Sequence, residues 1–107
     1  MIRISLGKFD AVIAPQVEAK LRELRARVEP GVRAMKGNRA YWCGIDRTHD
    51  AMHNVSIWDS VADAQQMDSL EPMLQAGREF AAMGVRFERP ILYFDTLWSL
   101  AAVEKPG

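Results

Sequence analysis

The chain has 107 residues, and 14 Lys plus Arg balance 14 Asp plus Glu, for a formal net charge of zero. That length is one domain. The charge balance excludes a general nucleic-acid binder, which needs surplus cations to displace counterions, and 49% hydrophobic residues exclude a disordered chain.

Ile2, Ile4 and Leu6 alternate with Arg3, Ser5 and Gly7, the period of a half-buried strand. A helix comes next. Pro15 suits its first turn, and Val17, Leu21, Leu24 and Val28 recur at steps of four, three and four, which gives one apolar stripe. Glu29-Pro30-Gly31 is expected to interrupt this helix, because a residue before proline leaves the α region.

Residues 39–46 read as a second strand with Tyr41, Cys43 and Ile45 on one side. A polar turn, Arg47-Thr48-His49-Asp50, leads into a third strand over residues 52–59, so the two form a hairpin. One face of the third strand carries Met52, Asn54, Ser56 and Trp58; the other carries His53, Val55, Ile57 and Asp59. Ser60 is the expected N-cap of a helix over residues 61–70, with Asp63 at the capping-box position. Glu71-Pro72 marks a break, the helix resumes over residues 73–83, and Gly84 is the expected C-terminal cap. A fourth strand is expected over residues 87–100, at a sheet edge because Pro90 cannot donate to a ladder, with Thr96, Leu97 and Trp98 extending it. The domain is thus residues 1–100, and residues 101–107 form a C-terminal tail.

The order β-α-β-β-α-β is the ferredoxin-like plan, an α+β fold in which two helices cover one face of a four-stranded antiparallel sheet. The third strand has no run suited to RNA recognition, and one cysteine cannot form the pair of a heavy-metal carrier. The strands are apolar on both faces: Val55 and Ile57 oppose Met52 and Trp58, and Ile91 and Tyr93 oppose Leu92 and Phe94. A bare apolar face of that size marks an interface, so a two-fold homodimer joined sheet to sheet is expected. The single cysteine allows no intrachain disulfide and suits a reducing interior. The charged, alternating N-terminus is unlike a signal peptide, and no run nears the ~18 apolar residues of a membrane span. A cytoplasmic protein with neither nucleic-acid nor membrane partners is the resulting expectation.

The junction Val55-Ser56-Ile57-Trp58-Asp59-Ser60 resembles the entry into the second helix of the antibiotic-biosynthesis-monooxygenase-like domains, within the dimeric α+β-barrel superfamily. The segment Val28-Glu29-Pro30-Gly31, the turn at Gly37-Asn38 and the aromatic strand after it are similar too, so the resemblance covers nearly the whole chain. It implies a homodimeric α+β barrel. The superfamily includes cofactor-free monooxygenases, haem-degrading enzymes, isomerases and proteins of no known function, so fold is not function.

Asn54 and Trp58 lie four apart on one strand face, with Ser56 between them. The resemblance implies that the amide and the indole N–H hold substrate oxygens in the quinone-forming members; fixed neutral donors stabilise negative charge as it develops. The plainer reading is a core tryptophan and a satisfied amide. The second helix lacks the aromatic hydroxyl expected of the closest enzymes, and residues 60–84 hold no histidine for a haem ligand. His53 is the candidate general base. Tyr41, Ser56 and Tyr93 are candidate pocket residues beside the simpler role of packing. Asp46, His49, Asp50 and His53 read as a polar turn rather than a metal site, since four strand residues span roughly 13 Å; a curled turn could gather the first three. Cys43 is expected to be buried and inert. Arg86 and Arg89 could reach an anionic group. No metal or cofactor is expected.

Two functions are consistent with these residues. One is a small dimer that binds a hydrophobic or aromatic molecule and oxygenates a polyphenol without a cofactor. The other is a non-catalytic ligand-binding or stress-response dimer of the same fold.

Overall fold

The computed structural model describes residues 1–100; the expected tail over residues 101–107 lies outside the described residues. The strands are β1 (Ile2–Lys8), β2 (Asn38–Asp46), β3 (Ala51–Trp58), β4 (Arg86–Phe87) and β5 (Leu92–Phe94). The helices are α1 (Ala14–Arg33), α2 (Val61–Ala64) and α3 (Glu71–Met83). The sheet order is β2-β3-β1-β4, with β5 also paired to β1, and every pairing is antiparallel. This is the expected α+β, ferredoxin-like arrangement.

α1 buries Val17, Leu21, Leu24, Val28 and Val32, the expected stripe extended by one turn. Pro30 does not interrupt it. The proline falls in the last turns, where burial of Val32 on the same stripe offsets one missing backbone hydrogen bond. Glu29 accepts from Arg25 and Arg33 on either side, which bridges the proline on the solvent face. Gly31 allows Leu70 to close on the helix: a Cβ there would stand 2.5 Å from Leu70 Cδ1.

Ser60 Oγ accepts from the Asp63 N–H at 3.1 Å, as a capping box requires. The helix it starts tightens after Ala64 into a 3₁₀ stretch, Gln65–Ser69, instead of running as α-helix to Leu70. Pro72 then sits in the first turn of α3, and Gly84 ends that helix at φ 110°, a left-handed cap.

The fourth strand is broken. β4 and β5 flank Arg89-Pro90, where proline offers no N–H to the ladder. Residues 95–100 leave the sheet, contrary to expectation, because β5 reaches the start of its partner: Phe94 already faces Ile2. Leu97, Trp98 and Leu100 are 90%, 77% and 86% exposed.

The two faces of the sheet differ in polarity. Arg3, Ser5 and Gly7 of β1 face the helices with Met52, Asn54, Ser56 and Trp58 of β3. Ile2, Ile4 and Leu6 face the other way. β1 is therefore amphipathic with its polar half covered. On the open face, two apolar rows cross the sheet. One aligns Trp42, Val55, Ile4 and Leu92; the other aligns Ala40, Ile57, Ile2 and Phe94. Trp42, Leu92 and Phe94 are each about half exposed.

Candidate functional site

The covered face has two apolar clusters. One gathers Phe9, Leu21, Leu24, Met52, Phe80 and Val85. The other gathers Val32, Trp58, Ala64 and Met67, with Tyr41 and Tyr93 packed on it. Between them runs a polar band, built by register: Tyr41, Ser56, Arg3 and Tyr93 align across β2, β3, β1 and β5, and Cys43, Asn54 and Ser5 form the next row. Burying such a band is costly unless each group is hydrogen-bonded. Three of its atoms, Arg3 Nε, Asn54 Oδ1 and Tyr41 Oη, are buried without a partner among the described residues.

Two of those three groups open onto a cavity of about 390 Å³ between the sheet and α3. Arg3, Ser5 and Asn54 form its polar floor, and Met52, Met67, Met73, Phe80, Phe87 and Ile91 supply its apolar walls. Arg78, Arg89 and Asp68 also line it. Arg78 is held by Glu71 and Gln75, and Arg89 donates to the Glu88 carbonyl and lies 5.2 Å over the Phe87 ring. A chain with no net charge thus has, among the described residues, three guanidinium groups and one carboxylate around one cavity.

A larger trough, about 870 Å³, lies between α1 and β2. It is flanked by Arg22, Arg25, Glu29 and Arg33 and exposes Cys43, which is therefore not buried as expected: β2 is an edge strand and α1 stands away from its middle. Partial burial still pushes the Cys43 thiol pKa up, so the thiolate is disfavoured. Tyr41 lines this trough and not the cavity; burial raises its hydroxyl pKa and keeps it protonated.

The expected site residues separate. Asn54 is at the cavity floor. Trp58 is 2% exposed, and its indole N–H donates to Ser56 Oγ at 2.8 Å, so both groups are committed to each other inside the core. Tyr93 packs on the Trp58 cluster. His53 stands on the open face, because one step along a strand reverses the side chain, and so it is not beside Asn54 within one chain. In the hairpin turn, Asp46 Oδ1 accepts from the Thr48 and His49 N–H groups at 3.0 Å each, and Oδ2 lies 2.9 Å from His49 Nδ1. Asp46 and His49 therefore hold the turn; Asp46's pKa is lowered chiefly by His49. Of the expected anion contacts, Arg89 reaches the cavity, whereas Arg86 points to Asp10 at 3.5 Å.

Arg3 was missed at the level of sequence. An arginine that alternates with Ile2, Ile4 and Leu6 reads as solvent-facing, and nothing in the alternation says that the helices cover the polar row instead.

No protein-family model matches the sequence, and no curated protein does. Solved structures do match in shape. A Deinococcus radiodurans protein named as a "putative antibiotic biosynthesis monooxygenase" superposes with a TM-score of 0.69 at 17% identity, covering 96% of this chain and 98% of that one. An antibiotic biosynthesis monooxygenase superposes at 0.63 and 17% identity, covering 91% and 99%. The protein PA3566 of Pseudomonas aeruginosa superposes at 0.59 and 22% identity, covering 89% and 93%. At these identities the likeness establishes architecture alone: the chain has the α+β fold of the antibiotic biosynthesis monooxygenase-like proteins.

Proposed function

We propose that this protein binds a hydrophobic or aromatic small molecule in the cavity between its sheet and α3, and that it oxygenates a polyphenol there without a cofactor. The observation that carries the binding reading is Asn54 Oδ1, buried and without a partner among the described residues, on the polar floor of a cavity whose walls are apolar. A convergent polar group in an apolar pocket is what fixes a ligand's orientation. A phenol O–H satisfies that oxygen, and the methionine-rich wall adapts to a flat ring. The oxygenation reading rests on the names of the structural neighbours and on Asn54.

In this reading the phenol loses a proton, its electrons reduce O₂, and the peroxide formed on the ring loses water to leave a quinone. Asn54 orients the substrate. Trp58, whose N–H is already bound, holds Ser56 and the floor in place. Asp68, the carboxylate among the described lining residues, accepts the proton in this reading. His53 belongs instead to the open face, where the apolar rows support a homodimer joined sheet to sheet. No helix among the described residues is long and apolar enough to cross a membrane, and the lone free thiol supports a reducing, cytoplasmic setting.

Oxygen uptake with a panel of hydroquinones and naphthols tests the proposal. Uptake above background that falls at least tenfold in Asn54→Ala supports it. Saturable binding with no uptake by any member selects the non-catalytic ligand-binding dimer instead.

A further inference from the structure

The cavity has a feature that an apolar aromatic ligand alone leaves unexplained. Arg3 is 6% exposed, and its Nε–H is buried with no acceptor among the described residues. Arg3 has no salt bridge among the described residues, although every other arginine lining the cavity is held by a neighbouring side chain or carbonyl. A guanidinium cannot shed its charge to escape burial. Its cross-strand neighbours, Ser56 and Tyr93, are neutral, and Ser56 is taken by Trp58. Asp68, the carboxylate among the lining residues, makes no ion pair with it. A buried cation left in this state needs an anion.

We infer that the cavity is built for an aromatic molecule bearing a carboxylate, with Arg3 as the residue that recognises the anion. This rests on the reading of the cavity as a small-molecule site and narrows its ligand class. Arg3 and Asn54 lie on adjacent strands, offset by two residues on one face, which sets their Cβ atoms roughly 7 Å apart. One offers N–H donors to an oxyanion; the other offers an acceptor to a hydroxyl. A ring carrying both groups satisfies both orphaned atoms at once. Arg78 and Arg89 add positive potential at the same cavity but already have partners, so they attract the anion and do not fix its position.

The test compares 6-hydroxy-2-naphthoate with 6-hydroxy-2-naphthamide, titrated calorimetrically into the full-length protein. The two share ring and hydroxyl and differ in charge, and because both are naphthols the titrations are run without oxygen, so binding is read apart from oxygenation. The naphthoate is expected to bind at least tenfold more tightly, as a charge-assisted hydrogen bond in a buried site implies. Arg3→Met should bring the ratio to about one, with the loss falling on the naphthoate. Arg3→Lys, which keeps a cation without the fork, should retain a ratio between those values. Arg89→Gln should lower the ratio by less than threefold. Should Arg3→Met not fold, the wild-type and Arg3→Lys ratios decide. Equal binding of the two ligands by the wild type overturns the inference and leaves the small-molecule site standing. A ratio lost in Arg89→Gln but kept in Arg3→Met or Arg3→Lys also overturns it. Failure of both ligands to bind removes the site itself, and the inference with it.

Discussion

Trp58→Phe separates the structural work of the third strand from its chemistry. Trp58 and Ser56 are 2% and 1% exposed, and the indole N–H donates to Ser56 Oγ at 2.8 Å. Phenylalanine keeps most of the ring but removes the donor. The hydroxyl then stays buried without that bond, which costs about 1–3 kcal/mol. The void left by the lost pyrrole edge adds roughly 1 kcal/mol, since Val32, Ala64 and Met67 relax only in part. The expected loss is about 2–4 kcal/mol, a large share of the ~5–15 kcal/mol that holds a domain folded. Ser56→Ala leaves the indole N–H unpaired and should cost about 1–3 kcal/mol. Combined, the two substitutions should cost less than their sum by about 1 kcal/mol, because the second removes a partner already lost. Urea unfolding tracked by far-UV circular dichroism, at one fixed protein concentration, measures all four states of the cycle. Additivity within about 0.3 kcal/mol would show that the two groups are not coupled and that the committed Trp58 N–H is a misreading.

Other parts of the molecule carry four further expected outcomes. Glu79 accepts from Lys20 and Arg27, which ties α3 to α1, and these partners, Arg27 foremost, lower its pKa from 4.5 to about 2. A carboxylate depressed in the folded state contributes stability above its unfolded value and loses it as pH falls, so the Tm deficit of Glu79→Gln should be full at pH 6 and vanish towards pH 2. Gly7→Ala should lower stability by about 1–3 kcal/mol, because the new Cβ would stand 2.8 Å from Val85 Cγ1, with Met52 and Phe87 also close; thermal unfolding reads it. Gly37→Ala should also destabilise, since φ is +76° and Asp63 crowds the position; a Tm equal to wild type would show that the turn has another route. Light scattering after size exclusion should give about 24 kDa, twice the 12.1 kDa chain, and Ile4→Lys or Trp42→Glu on the open face should shift it to the monomer mass; a wild-type monomer refutes the sheet-to-sheet dimer.

Element order, the α1 stripe, the Ser60 cap and the left-handed Gly84 were all legible, because each depends on near neighbours in the chain. Pro30 was misread for the opposite reason. A local breaker yielded to burial of Val32, a tertiary effect. The extension of the fourth strand past Phe94 failed because strand length depends on a partner, and β1 ends at Ile2. The site shows the limit most clearly. Alternation in β1 and β3 divides the side chains into two sets but does not say which set the helices cover. Here the helices cover Arg3, Ser5, Asn54 and Ser56, and leave Ile2, Ile4, Val55 and Ile57 on the open face. The apolar excess of both faces was visible in the strands. The polar band inside the core was not, because it needs the register of separate strands to assemble it.

The central claim is that a ligand sits at Asn54. The side-chain amide resonances of Asn54, assigned by their loss in Asn54→Ala, test it most directly in a titration with 6-hydroxy-2-naphthoate. They should shift saturably, with the same Kd as the calorimetric titration. Unmoved Asn54 resonances, with shifts confined to backbone amides of Tyr41 to Ile45, would place the ligand in the trough between α1 and β2 and contradict the claim.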